Sequence, residues 1–174
     1  IDTVNPNCGK ALAAYMEGAS ADIILGQDLK ILDGHLRGQA EQTARNAKCS
    51  MAIEPCHVSQ LGGHSAGTSV AVRSFLGMSE PLVVKQSQHL HPTGRFCMRR
   101  IACMGKGGVH CGSPYLYSMT GLGGILAQCN LDMLDCMAFT INGLVGPWIL
   151  GGDWNCTPPG VEGHGVAAHC LLYT

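Results

Sequence analysis

The sequence predicts an α/β fold with sheets in the centre and helices outside, and three observations carry that expectation. Apolar stripes at helical period occur near both ends of the chain, over residues 9–20, 32–47 and 121–143. Between residues 49 and 118 the pattern changes to short β-rich runs punctuated by Gly, Pro and Ser, as successive antiparallel strands require. With 174 residues, 46% of them hydrophobic and 13% charged, the chain can bury one real core, so residues 1–174 are read as a single domain. Strands flanked by helices then imply an α/β sandwich.

The elements follow in order. "IDTV" reads as a short strand, and in "GKALAAYMEGAS" Leu12, Tyr15 and Met16 recur at helical spacing. "ADIIL" is a strand of the buried type. Over 32–47, Leu32, Leu36, Ala40 and Ala44 stand four apart, with Asp33 as the expected N-cap. "CSMAIEP", "TSVAVRSF", "PLVVKQS", "RFCMRRIACM" and "VHCGSPYLYS" read as strands. Residues 121–143 are expected to present Leu122, Ile125, Leu126, Cys129, Met133, Met137 and Ile141 on one apolar face, and "PWIL" closes the series as a strand.

Composition excludes several classes. Mean hydropathy of +0.15 argues against disorder, and no apolar run reaches the roughly 18 residues of a membrane span. No basic segment followed by an apolar one marks a signal peptide, so an intracellular protein, nuclear or cytoplasmic, is expected, taken as a monomer. Ten scattered cysteines suit free, partly buried thiols in a reducing compartment. Zinc is the sharper alternative, at Cys56, His57 and His64 or at Cys97, Cys103, His110 and Cys111, but no C-x2-C pair anchors either set. Net charge is −1, yet Arg73, Lys85, Arg95, Arg99, Arg100 and Lys106 against Glu80 give the middle of the chain +5. Such a basic middle suits a polyanion, with solvated strand faces as the plainer explanation.

Three strand ends share one grammar. "IDTV" runs into Asn5-Pro6-Asn7, "ADIIL" into Gln27-Asp28-Leu29-Lys30, and "PWIL" into Gly151-Gly152-Asp153-Trp154-Asn155. Residues two apart on an extended chain face the same way, so each end offers a polar pair. If the three strands lie together, Asn5, Asn7, Asp28, Lys30, Asp153 and Asn155 converge on one rim. That is a hard, oxygen-rich set suited to Mg²⁺ or Mn²⁺ rather than to zinc. Any one of these ends alone would be an ordinary turn.

The same segments resemble the endonuclease/exonuclease/phosphatase superfamily, whose fold is the deoxyribonuclease-I-like four-layer α/β/β/α sandwich. "TVNPN" looks like its first-strand T-x-N motif, "ADIILGQDLK" like D-I-x-x-x-Q-E-x-K, and "PWILGGDWNCTP" like G-G-D-F-N-x-x-P. "SPYLYSMTG" sits where the family carries a tyrosine strand, and "GRFCMRRIACM" where it has the preceding one. The likeness runs from Ile1 to about Pro158, and its flavour is that of apurinic or retrotransposon-type endonucleases.

The resemblance implies metal-dependent phosphodiester hydrolysis, of DNA ahead of RNA. Asp28 stands at the metal-binding Glu, with Asn5 and Asn7 completing the surroundings of Mg²⁺ (or Mn²⁺). Asp153 is similar to the Asp that activates water, while Asn155 and Tyr115 match groups that hold the scissile phosphate. Lys30, Arg95, Arg99 and Arg100 are the expected nucleic-acid contacts. The sequence also departs from the pattern. Asp28 is one methylene shorter than Glu, Pro6 and Pro114 favour strand ends, and no Ser-Asp/Asn-His motif surrounds His164 or His169. An incomplete C-terminal half and weak or absent activity are therefore expected.

Two other readings compete. Gly63-His64-Ser65-Ala66-Gly67 fits G-x-S-x-G, which would make Ser65 a hydrolase nucleophile with Asp132 or Asp153 and His164 or His169; that elbow needs a strand before the Ser and a helix after it. Gly62 to Ser69 mimics a phosphate loop, but Thr68 occupies the lysine position. The other reading is a non-catalytic nucleic-acid-binding remnant.

Overall fold

The computed structural model describes residues 1–58, 62–82, 94–102, 107–118 and 124–155. The chain forms β1 (Asp2–Val4), α1 (Gly9–Gly18), β2 (Ile23–Gly26), α2 (His35–Asn46), β3 (Cys49–Glu54), β4 (His57–Val58), β5 (His64–Ser65) and β6 (Thr68–Arg73). It continues with β7 (Met78–Ser79), β8 (Phe96–Ile101), β9 (Val109–Pro114), α3 (Ile125–Asn142) and β10 (Trp148–Leu150). Two four-stranded sheets result, ordered β1-β2-β6-β3 and β10-β9-β8-β7, beside a β4-β5 ribbon. The hairpin-type pairs β3·β6, β7·β8 and β8·β9 are antiparallel, as the punctuated middle predicts. The pairs β1·β2 and β9·β10 are parallel. Parallel neighbours need a crossover, and α1 and α3 supply it.

Three apolar layers define the sandwich. Leu12 and Met16 of α1 and Ala44 of α2 pack on Ile24, Ile53 and Ala71 of the first sheet. Met133, Leu134 and Met137 of α3 pack on Phe96, Met98 and Leu150 of the second. Between the sheets lie Leu25, Val70 and Val72 against Cys97, Ile101 and Cys111. Alternate residues of β6 and β8 thus feed different layers, the period of two that a sheet covered on both faces imposes. The order is α/β/β/α, as expected.

Some local expectations fail. Helix α2 starts at His35, and Asp33 is not its N-cap; the Asp33 carboxylate accepts from the Gly34 N–H at 2.8 Å, while Gly34 itself takes the capping place at φ +76°. On α3 the buried face is rotated from the one expected. Ile125 and Leu126 are exposed, whereas Asn130, Leu134 and Thr140 turn inward, the Asn130 amide bracketing the Tyr117 peptide at 2.8 and 3.1 Å. Leu122 and most of "PLVVKQS" lie outside the described residues, and Leu82 belongs to no strand. Burial between the two sheets pushes the Cys97 thiol up to about 12, so it rests there as a neutral thiol. Among the described residues no group of three or more His, Cys, Asp or Glu is placed to hold a metal; Cys103 lies outside them. No described helix is long and apolar enough to cross a membrane.

Candidate active site

The site is assembled at one end of the sandwich, where β1, β2, β9 and β10 all finish. Its oxygens come from two facing sheets rather than from one rim. Beyond Leu150 the ladder with β9 continues, through the Asp153 N–H to Pro114 O at 3.2 Å, the Leu116 N–H to Asp153 O at 3.0 Å and a parallel bridge between Tyr115 and Asp153. Gly151 and Gly152 permit this approach. A Cβ on Gly152 would strike the Pro114 carbonyl, and one on Gly151 would strike the Thr3 hydroxyl. Pro114 sits at the end of β9 and Pro6 beyond β1, both outside positions that need a ladder N–H.

Across the gap between sheets, Asn5 Nδ2 donates to Asp153 Oδ2 at 2.9 Å. The Asn155 N–H donates to Asp153 Oδ1 at 3.1 Å, so each oxygen of this half-buried carboxylate has one donor and keeps lone pairs for another. Asn5 Oδ1 accepts from the Asn7 N–H at 3.3 Å, and one N–H of the Asn155 amide donates to Leu116 O at 2.7 Å. Tyr115 stands between the carboxylates. Burial, and then the charge of Asp28, push its phenol up; Arg95 opposes them, and the charge of Asp153 and a hydrogen bond to the Asp28 carboxylate add to the rise. The hydroxyl therefore stays a proton donor through the neutral range.

Asp28 is 6% exposed and pairs with Lys30 at 3.1 Å. The pairing does not arise from an extended strand. Asp28 and Lys30 have φ of +53° and +54°, and Asn7 and Asn155 have +61° and +47°, so four of the six described non-glycine residues in the left-handed region belong to this cluster. Such backbone persists where its surroundings hold it, and here the Leu29 and Lys30 N–H groups bond to Gly67 O and Ala66 O, both at 3.0 Å.

Gln27 and Ser113 were not expected as site residues. Fully buried, Gln27 Nε2 donates its two N–H groups to Leu25 O (2.9 Å) and Ser113 Oγ (2.8 Å), with Gly151 O at 3.5 Å, while Ser113 Oγ donates to Gly26 O (2.9 Å). These bonds staple the two sheets directly beneath Asp28 and Asp153. The signal was the Gln of "ADIILGQDLK", a polar side chain ending a buried run. A cavity of about 890 Å³ opens beside the cluster, with Asn5, Tyr15, Gln27, Asp153, Trp154 and Asn155 in its wall. Trp154 itself is buried in the α3 layer.

The expected basic contacts do not gather there. Arg95 is 4% exposed; it donates to Ser65 Oγ at 2.9 Å and Tyr115 O at 3.2 Å and lies 3.7 Å from the Tyr117 ring centroid. It is an internal prop for the Tyr115 strand and cannot meet a surface phosphate. Arg99 pairs with Glu54 and Glu80 at 3.4 and 3.6 Å, and Arg100 donates to Gly107 O at 2.7 Å. Both sit on β8 towards Ile101, which pairs with Val109 at the end away from the site. Arg73 donates to Ala47 O, also at the far end, and Lys85 and Lys106 lie outside the described residues. The basic middle of the sequence is thus dispersed in space, and Lys30 is the expected contact that stands in the cluster.

Ser65 is not on a nucleophile elbow. It ends the two-residue β5, Ala66 and Gly67 follow at φ +71° and +90°, and strand β6, not a helix, comes next. The same strand removes the phosphate-loop reading. His164 and His169 lie outside the described residues.

The oxygens fit Mg²⁺ in kind but not in arrangement. Asp28 Oδ2 already holds the Lys30 ammonium, Asn5 Oδ1 holds a peptide N–H, and Asp153 holds two amide donors. A divalent ion beside Asp28 would meet a like charge two residues away and would have to compete with the donors already on these oxygens.

No protein-family profile matches the chain, and no curated protein is detectably similar in sequence. Solved structures do match. An AP endonuclease from Archaeoglobus fulgidus superposes with a TM-score of 0.63 at 15% identity, over 90% of this chain and 57% of its own. The 3′ phosphatase NExo from Neisseria, bound to product DNA hairpin, gives 0.67 at 13%, over 90% and 57%. The APE2 catalytic domain from Xenopus laevis gives 0.59 at 15%, over 92% and 64%. The fold is the deoxyribonuclease-I-like one, and the chain spans a little over half the length of the first two of these structures.

Proposed function

We propose that this site hydrolyses phosphodiesters of nucleic acid, slowly, with DNA preferred to RNA. The observation that carries the reading is the Asn5–Asp153 hydrogen bond, which joins two of the predicted strand ends across separate sheets and leaves Asp153 lone pairs for a water. In this reading Asp153, held in orientation by Asn5 and the Asn155 peptide, takes the proton of the attacking water as its oxygen bonds to phosphorus, and the ester P–O bond breaks to an alkoxide that water protonates. The neutral Tyr115 hydroxyl, bonded to Asp28 in the free chain, turns to donate to a non-bridging phosphate oxygen, and Lys30 offsets its charge. Asn155, its amide already anchored on Leu116, orients Asp153 as well as facing the phosphate. Lys30 on Asp28 and the Asn7 N–H on Asn5 Oδ1 compete with Mg²⁺ or Mn²⁺ at Asp28, Asn5 and Asn7, so the chemistry is carried by the chain's own groups. The preference for DNA follows the neighbours described as an AP endonuclease and as a phosphatase bound to a DNA hairpin. Mass analysis of the ends left on labelled DNA and RNA oligonucleotides tests the reading: new phosphate and hydroxyl ends are expected on DNA, and intact strands of both kinds would refute it.

A second reading, nucleic-acid binding without cleavage, is favoured by the Asp28–Lys30 pair, which already neutralises the carboxylate expected to hold a metal. Binding that persists in EDTA with no new ends would select it.

A further inference from the structure

We infer that Lys30 is the resident cation of this site: its ammonium, held on Asp28, takes the place of a divalent ion and binds a phosphodiester without metal. The ligand class rests on the reading above; the placement of the charge does not.

Three observations lead there. The Lys30 side chain is 40% exposed while that of Asp28 is 9% exposed, so the carboxylate is covered and the ammonium opens to the surface. Lys carries three donors, and the one spent on Asp28 leaves others for phosphate oxygens. Next, the pair is built into the backbone. Asp28 and Lys30 both take left-handed φ, and the peptide N–H groups of Leu29 and Lys30 are pinned to the Ala66–Gly67 loop, itself left-handed at φ +71° and +90°. An ion pair between exposed, freely moving side chains contributes little, but here the chain is ordered before the charges meet. Finally, the shorter side chain at position 28 keeps its carboxylate close to its own loop, where the residue two positions on reaches it.

The test uses the whole chain and two readouts, neither a cleavage rate. Free Mn²⁺ is followed by electron paramagnetic resonance, and a fluorescein-labelled single-stranded oligodeoxynucleotide is titrated in EDTA by anisotropy. The wild type is expected to take up no Mn²⁺ below about 1 mM, whereas Lys30→Met should gain uptake at least about tenfold tighter. The same variant should weaken oligonucleotide binding in EDTA by about tenfold, and Lys30→Arg, which keeps the charge, should retain it. Submillimolar Mn²⁺ uptake by the wild type overturns the inference. So does oligonucleotide binding in EDTA that the wild type lacks or that Lys30→Met leaves unchanged. A chain that passes both arms yet leaves DNA intact would refute only the hydrolytic reading.

Discussion

Asn5 and Asp153 lie 148 positions apart and on different sheets, yet the Asn5 amide donates to the Asp153 carboxylate at 2.9 Å. The bond is exposed, so its net contribution to stability is small. Asn5→Ala should change the unfolding free energy by less than about 1 kcal/mol and lower DNA cleavage by about 10²-fold, because Asp153 loses its orientation. Urea unfolding beside single-turnover cleavage checks the split; a loss in both would make Asn5 a structural residue.

Arg95 and Lys30 are predicted to behave oppositely. The Arg95 guanidinium is buried among Ser65, the Tyr115 carbonyl and the Tyr117 ring, so Arg95→Ala should destabilise the fold by about 3 kcal/mol. Lys30→Ala should lower stability by less than Arg95→Ala does, through the Asp28 carboxylate left without its cation, and flatten the salt dependence of DNA binding. Arg99→Ala and Arg100→Ala should leave that salt slope as it is.

Gln27 bridges the sheets with donors that no apolar residue can replace. Gln27→Leu should cost about 1–3 kcal/mol by removing the bonds to the Leu25 carbonyl and to Ser113 Oγ. Gln27→Glu should cost more, since a carboxylate would then face carbonyl oxygens. Denaturant melts of both variants test the order.

His110 makes acid stability predictable. Its Nε2 accepts from the Leu82 N–H at 3.1 Å and its Nδ1 faces Pro147 O at 3.2 Å, the pattern of a neutral ring. Burial holds its pKa below 6.5, helped by Arg100 and opposed by the Pro147 carbonyl. The unfolded chain therefore takes up the proton first as pH falls. Stability from this group is complete above 6.5 and is lost on acidification through the lowered value. His110→Gln should flatten the pH dependence of the melting temperature in that window.

Much of this was legible in the residues. Apolar period placed the three described helices, and the Gly/Pro punctuation placed the antiparallel β3, β6, β8 and β9. Each polar end alone reads as an ordinary turn, and it is the same grammar repeated at Asn5, Asp28 and Asp153 that announced the cluster. What could not be read was pairing at long range. Nothing local says that Arg95 points inward while Lys30 points outward, since both are one basic residue beside an apolar run. The two-residue spacing suggested extended backbone, but bonds from Gly67 and Ala66, some 37 positions away, bend Asp28 and Lys30 into the left-handed region. The face of α3 was misjudged because Asn130 finds its partners on Tyr117, a contact invisible in helical period alone.

The central claim is that Asp153 activates water for phosphodiester cleavage. The most direct measurement is the single-turnover rate of cleavage of one labelled DNA oligonucleotide by the wild type and by Asp153→Ala, each with Mg²⁺ and with EDTA. The account predicts slow cleavage by the wild type in both buffers and a rate at least about 10²-fold lower for Asp153→Ala. Cleavage that survives Asp153→Ala at the wild-type rate would contradict it.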